Sequence, residues 1–392
     1  MNACPQIKLG ELLRQIDRTE RVDPDSTYRL LGVRLEGNGP FIRETVSGTE
    51  TSAVRLNAVR ARDFIYSRLF AWRGAFGVIN EALDGCFVSN EFPIFQTDAH
   101  RLDVDYLARW FLLSSVWRRV ESNCTGSTPT TRNRFKEKFF FDLEIPLPPL
   151  AEQQALVARL DALAEKTRQV ETHLDAVERD SLRLLVTMAT RYDLTDEKRR
   201  VSGWRPASIS DLATLAPYPE AVAINRSYPN VGILSYAKGV FGKAPIEGAN
   251  TSAKTLYRIK SGQFIYSRLF AFEGAYALVP DEFNGYYVSN EFPTFEVNDD
   301  LASPKFLMAL FMTEADWHKL RASTKGVGDR RLRIQPEHIL ARRIWLPPQH
   351  EVARIVALFD LHVALKAKHA AIRKANATLL PATLERVFAG GD

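Results

Sequence analysis

Cysteine is scarce in this chain: Cys4, Cys86 and Cys124 are the only three in 392 residues, and no two form a Cys-x-x-Cys pair. That argues against both a disulfide framework and a structural zinc site, and it fits a reducing, cytoplasmic compartment. No apolar run approaches the ~18 residues of a membrane span, and the first ten residues carry no apolar signal core, so neither export nor membrane insertion is expected. Enzymatic signatures are missing too. There is no Gly-x-x-x-x-Gly-Lys-Ser/Thr loop, no Gly-x-Gly-x-x-Gly fingerprint, no Glu-x-Lys triplet and no His-Glu-x-x-His pairing among the seven histidines. Asn90-Glu-Phe-Pro93 has the wrong order for the Asn-Pro-Pro-aromatic loop of amino methyltransferases, and Asn90 and Asn290 read as turn or strand-end residues. A binding module is favoured over an enzyme. A hydrophobic content of 45% and a charged content of 25% are those of an ordinary globular protein. The net charge of +5 leans only mildly towards a polyanionic partner.

What the chain has instead is a large internal repeat. Phe64-Ile-Tyr-Ser-Arg-Leu-Phe70 returns letter for letter as Phe264 to Phe270, and Val88-Ser-Asn-Glu-Phe-Pro93 returns as Val288 to Pro293. Ten of the sixteen residues from Phe64 recur from Phe264. A period of this size exceeds any solenoid unit and reads as a duplicated domain. Around the repeat, Phe64 to Phe70, Ala75 to Ile79, Cys86 to Ser89 and Phe92 to Gln96 read as short strands, punctuated by Gly74, Asn80 and Asp84-Gly85. Phe64, Ile65, Leu69 and Phe70 are expected in the core. Upstream, Tyr28 to Arg34 and Tyr228 to Leu234 are matching strands, the first ended by the turn signal Glu36-Gly-Asn-Gly-Pro40.

From Asp103 to Glu121 the period turns helical, with Asp103 or Asp105 as N-cap. Tyr106, Leu107, Trp110, Phe111, Ser114 and Trp117 lie on one face. The second copy, Ser303 to Trp317, places proline at the first helical position. Trp110, Trp117 and Trp317 read as core anchors. Each helix leads to a polar loop that ends in Arg-x-Arg: Arg132/Arg134 before Phe135, and Arg331/Arg333 before Ile334. These loops carry Ser127 and Thr128 in the first copy, Lys325 and Arg330 in the second. A solvated surface and a phosphate-binding loop are both open readings.

Both copies then stop at Leu-Pro-Pro (147–149 and 346–348) and become strongly helical. Leu156, Leu160, Leu163, Val170, Leu174, Val177 and Leu184 step by fours and threes, as a/d positions of a coiled coil do. Val352, Val356, Phe359, Val363, Leu380 and Leu384 continue the same spacing in the last helix, with Lys366 and Arg373 as weak points. The two helices should pair antiparallel.

The expected architecture is therefore α+β. A first β-rich domain spans 1–147, a central long helix 148–195, a second β-rich domain 196–346, and a terminal long helix 347–392. The two β-rich domains would be related by pseudo-two-fold symmetry and separated by the two-helix coiled coil.

This layout, with Ile145-Pro-Leu-Pro-Pro-Leu-Ala-Glu-Gln-Gln154 entering a long helix, resembles the specificity (S) subunit of type I restriction–modification enzymes. The strand pattern Phe64-Ile-Tyr-Ser-Arg through Val88-Ser-Asn-Glu-Phe-Pro is similar to that family's target-recognition domains. The second copy departs at Leu346-Pro-Pro-Gln-His-Glu. The resemblance implies a non-catalytic subunit whose domains each read half of a split double-stranded DNA target, with the helices as spacer and as docking surface for partner subunits. It implies two methyltransferase (M) subunits and restriction/translocase (R) subunits as partners, with S-adenosylmethionine, ATP and Mg²⁺ bound by those partners.

In that role Arg68 and Arg268 are candidates for DNA contact or for a salt bridge with Glu91 or Glu291. Arg73, replaced by Glu273, could change sign with the base it reads. The likeness of the copies predicts related half-sites forming an imperfect palindrome, differing where residues 34–50 and 118–131 diverge from 234–250 and 318–330. A scaffold with protein-binding β domains is the alternative.

Overall fold

The computed structural model describes residues 4–125, 134–321 and 333–388. It is an α+β chain of two compact units: Met1–Glu171 with Ile372–Asp392, and Thr172–Ala371. No helix among the described residues is long and apolar enough to cross a membrane.

In the first unit the strands Gln6–Lys8 and Glu144–Pro146 pair antiparallel just ahead of the long helix. A four-stranded antiparallel sheet runs in the order Leu13–Ile16, Ile94–Thr97, Phe64–Tyr66, Phe76–Val78. A five-stranded sheet runs Thr19–Arg21, Arg55–Ala58, Phe87–Val88, Thr27–Val33, Pro40–Ser47, with Phe87–Val88 parallel to Thr27–Val33. The second unit repeats all three sheets in the same order, from Arg205–Ser208 to Arg343–Leu346. Alternation explains the placement: Phe64 and Tyr66 enter one cluster with Phe76, Phe95 and Phe140, while Ile65 enters another with Leu31, Ile79 and Val88.

The repeated heptapeptide is not one strand. Only Phe64–Tyr66 and Phe264–Tyr266 are extended; Arg68 to Phe70 form a turn into a short 3-10 helix, Ala71–Arg73. Phe64 and Ile65 are buried as expected. Leu69 is only half-buried, and Phe70 and Phe270 are 45% and 49% exposed, because the turn carries them out of the sheet.

The expected helix from Asp103 to Glu121 is two, Val104–Trp110 and Ser114–Ser122. The break frees the Phe111 carbonyl, which accepts the Trp117 indole N–H at 2.6 Å; Phe311 and Trp317 do the same at 2.7 Å. Asp103 caps the first helix by accepting from the amides of Asp105 and Tyr106. Trp110 and Trp317 are buried anchors. Gly74 and Gly274 make room for the second tryptophan of each copy: both have φ near +75°, and a Cβ would come within 2.5 Å of the Trp117 or Trp317 ring.

The long helices are Leu150–Thr190 and Gln349–Phe388, and each gives half its length to each unit. Gln153 is fully buried at the start of the first. Its Oε1 accepts the Asp103 amide, and its Nε2 donates to the carbonyls of Arg101 and Pro148. The second copy places buried Val352 there, and Gln349 reaches the Asp300 carbonyl instead.

The pairing is antiparallel. In the first unit Leu156, Leu160 and Leu163 line one groove with Leu379 and Val387, and Leu160, Leu384 and Leu380 join the unit's core. In the second, Leu174, Val352 and Phe359 are buried, and Val177 and Val356 partly so. Three expected seam positions are not in the seam: Val170, Leu184 and Val363 are 38%, 53% and 50% exposed. Leu185, His362 and His369 are buried instead. The seam keeps a seven-residue spacing on other letters: Glu171, Glu178 and Leu185 in one helix, and Ile355, His362, His369 and Asn376 in the other, so each of the three exposed residues stands one position beside an occupied one.

The seam is polar in part, at the expected weak point Arg373 and at Glu171, Glu178, Ser181, His362 and His369. Glu171 bonds Arg373 and Asn376 in the first unit. In the second, Glu178 faces His369 at 2.9 Å and Ser181 faces His362 Nδ1 at 2.8 Å. Burial holds the His362 pKa below its ordinary 6.5; Lys366 adds to the shift and Glu178 opposes it. A depressed histidine favours the neutral form in the fold. Its contribution is therefore complete above pH 6.5 and is lost as pH falls towards the lower folded value. The melting temperature of the wild type should fall more steeply between pH 7 and 5 than that of His362→Gln. Parallel pH profiles would refute the assignment.

Candidate nucleic-acid interface

Every described basic candidate surrounds one construction, built identically in both units. The Tyr66 hydroxyl, inside the core, donates to the Phe135 carbonyl at 3.3 Å, and the Phe135 amide donates to the Arg68 carbonyl at 2.9 Å. The Arg68 amide in turn donates to the Glu91 carbonyl at 3.0 Å. In the second unit Tyr266 holds Ile334, Ile334 holds Arg268, and Arg268 holds Glu291, at 2.9, 3.0 and 2.9 Å. Burial pushes the Tyr66 and Tyr266 hydroxyls well above the ordinary tyrosine range, so both stay protonated donors. The repeated stretch is thus a clamp. It fixes the downstream end of the polar loop and the Ser89–Phe92 turn against the core.

The ion pairs differ from the expectation. Arg68 binds Glu137, not Glu91, and its guanidinium also reaches the Asn90 carbonyl. Arg268 donates to Gln335 Oε1 at 2.5 Å, and its buried Nε has no partner among the described residues. Glu91 and Glu291 belong to the loop arginines: Arg134 to Glu91 at 2.7 Å, and Arg333 to Glu291 at 3.0 Å. The turn geometry explains this. With Arg68 outside the strand, its side chain runs along the start of the helix Glu137–Phe141, while Arg134 comes from the bridge with Thr125 and faces Glu91. Arg134 remains 53% exposed at its side chain, and a surface pair of this kind contributes only about 0–1 kcal/mol. Exchanging Glu91 for a phosphate costs correspondingly little.

Arg73 is exposed, with its guanidinium near the Trp72 ring and no ion pair among the described residues. Its carbonyl accepts from Glu36, so its 3-10 helix is docked on the divergent hairpin turn. Glu273 accepts from the Ser235 hydroxyl at 3.0 Å. Ser127, Thr128, Arg132, Lys325, Arg330 and Arg331 lie outside the described residues.

Sequence reasoning missed the acidic partners of these arginines. Glu137 is far from Arg68 in sequence, and no local spacing marks the pair. It also missed a charged knot beneath the surface. Arg18 makes a two-pronged ion pair with fully buried Asp63, whose carboxylate also accepts the Arg60 amide at 2.8 Å. The second unit has no charge at either place: Gln263 Oε1 caps the Lys260 amide at 2.9 Å, and Tyr218 donates to Glu296 at 2.5 Å.

Residues 31–179 match the family model described as the type I restriction modification DNA specificity domain. The fold is similar to a crystal structure of the HsdS subunit from Thermoanaerobacter tengcongensis, with a TM-score of 0.58 at 17% identity over 100% of this chain and 97% of that one. It is also similar to a chain from a structure concerned with complex assembly and conformational transition of the type I R-M system. There the TM-score is 0.65 at 16% identity, covering 98% of this chain and 97% of the other. No curated protein matches the sequence.

Proposed function

We propose that this chain is a DNA specificity subunit of a type I restriction–modification system, as the match of residues 31–179 to that specificity domain supports, and that each of its two units reads one half of a split duplex target. The observation that carries this reading is the doubled clamp: one scaffold, built twice, presents different residues at matching places. A side chain must reach base edges to read sequence, while cations on phosphates set the register. The shared scaffold supports related half-sites, and the divergent turns at residues 34–50 and 234–250 support differences between them.

The recognition domains of the proposal are 1–147 and 196–346, and the long helices in 148–195 and 347–392 form the spacer and the docking surface for two methyltransferase subunits. Translocase/nuclease subunits complete the assembly. The chemistry, with S-adenosylmethionine, ATP and Mg²⁺, belongs to those partners.

A duplex-binding titration of the full chain against salt tests the reading. Neutralising several phosphates makes log K fall linearly with log salt, with a slope of about −0.9 per phosphate. Arg134→Ala should make that slope shallower by about one. Binding to duplex DNA that ignores salt, or no binding at all, would favour a protein-binding scaffold.

A further inference from the structure

At the edge of its five-stranded sheet the first unit has a cleft of about 440 Å³, lined by Thr19, Arg55, Asn57, Ser89 and Asn90 among others. Its floor follows from strand alternation: Leu56 turns inward to pack with Tyr28 and Leu30, which leaves Arg55 and Asn57 on the opposite face. Asn57 is held in one orientation. Its Oδ1 accepts the Arg18 amide at 3.2 Å, and because a backbone N–H can only donate, the amide cannot be flipped; the Thr19 hydroxyl lies 3.0 Å away but gives its single proton to the nearer Asp17 carboxylate. The Nδ2 group, with two donors, has no partner among the described residues. Arg55 is exposed beside it, near enough to Asp17 to help lower that carboxyl's pKa. At the rim, the Asn90 carbonyl is bound by Arg68, and Glu91 by Arg134.

The second unit keeps Ser289 and Asn290 but has Pro219, Thr255 and Tyr257 where the first has Thr19, Arg55 and Asn57. Tyr257 packs against the cluster of Ile259, Ile265 and Val288. The same place on the same scaffold therefore offers donors in one unit and an aromatic ring in the other.

We propose that this cleft is a base-reading site of the first unit, in which Asn57 Nδ2 and the Arg55 guanidinium recognise a guanine from the major groove. This rests on the DNA-reading function proposed above. The chemistry selects the base. Guanine presents two acceptors, N7 and O6, to two donors. Adenine presents one acceptor, N7, beside a donor, N6–H₂, so one of the two donor groups would meet a donor. Cytosine presents a donor to a donor, and thymine has one acceptor beside a methyl group. The second unit lacks the pair of donors, so its half-site does not require guanine at the corresponding position.

Selection from a random duplex pool by the full chain tests this, comparing the wild type with Asn57→Tyr and Arg55→Thr. Both variants install side chains that the second unit's strand already accommodates. The wild type should select a two-part site with a guanine in one half. Each variant should lower the preference for that guanine about tenfold, with the other half-site unchanged as an internal control of folding and binding. Undiminished preference for guanine in both variants would overturn the cleft's role while leaving the DNA-reading function intact. So would an equal loss across both half-sites, since that marks a structural effect. A wild-type chain that selects no sequence would overturn the DNA-reading function itself, and the cleft assignment with it.

Discussion

Asp63→Ala should destabilise the first unit by about 3–5 kcal/mol, the usual consequence of removing one partner from a buried ion pair. Asp63 is fully buried and the Arg18 side chain is 16% exposed, so the arginine left behind has little access to water. The Arg60 amide loses its acceptor as well, and Gln96 loses a weaker one at 3.4 Å. The second unit shows how the same fold manages without the charges. Tyr218, Gln263 and Glu296 stand where Arg18, Asp63 and Gln96 do, and they cap the same turn and link the same strands. The triple change Arg18→Tyr, Asp63→Gln, Gln96→Glu should therefore recover most of the loss, whereas Asp63→Gln alone leaves Arg18 unpaired and should not. Hydrogen exchange of the segment containing Phe64–Tyr66 reads the effect within the first unit. A triple variant as labile as Asp63→Ala would show that the second unit's solution is not transferable.

Leu185→Ala should cost the second unit about 2–5 kcal/mol, and Leu184→Ala should stay within about 0.5 kcal/mol of wild type. The two leucines are neighbours in one helix and chemically identical, but Leu185 is fully buried in the second unit's core and Leu184 is 53% exposed. Removing Leu185 leaves a cavity beside Ala189 and Trp204, in a core with little freedom to collapse. Removing Leu184 exposes backbone that solvent already reaches. A strict heptad count predicts the reverse, with Leu184 in the seam. Urea denaturation of the two variants, followed by hydrogen exchange within Thr172–Ala371, separates these outcomes, and equal destabilisation would contradict the burial pattern.

The exposed Leu184 also shows where reading the sequence stops. Apolar letters at spacings of three and four marked both long helices and their antiparallel pairing correctly, because the hydrophobic effect demands a stripe and the stripe is written in the sequence. They could not locate the contact line. An apolar residue one position off the seam reads like one inside it. A histidine in the seam reads like a surface residue, since its suitability depends on Ser181 or Glu178 across the interface. The arginines follow the same logic. Arg68 and Arg134 were recognisable as residues needing anions, but which anion each meets depends on a turn that removes Arg68 from the strand and on a helix start that brings Glu137 beside it.

A duplicated domain, two long helices and the lack of enzymatic signatures are all legible in the order of the residues. Repetition, composition and periodicity are one-dimensional properties and need no coordinates. What the repeated stretch does depends on contacts made in the folded chain. Phe64 to Tyr66 fill the core, and the Tyr66 hydroxyl with the Arg68 backbone ties Phe135 and the Ser89–Phe92 turn to it. Those partners are dozens of residues apart, and a hydrogen bond between them exists only once the sheets have closed. The same closure turns Thr19, Arg55, Asn57 and Asn90, unremarkable where they stand in the chain, into one cleft.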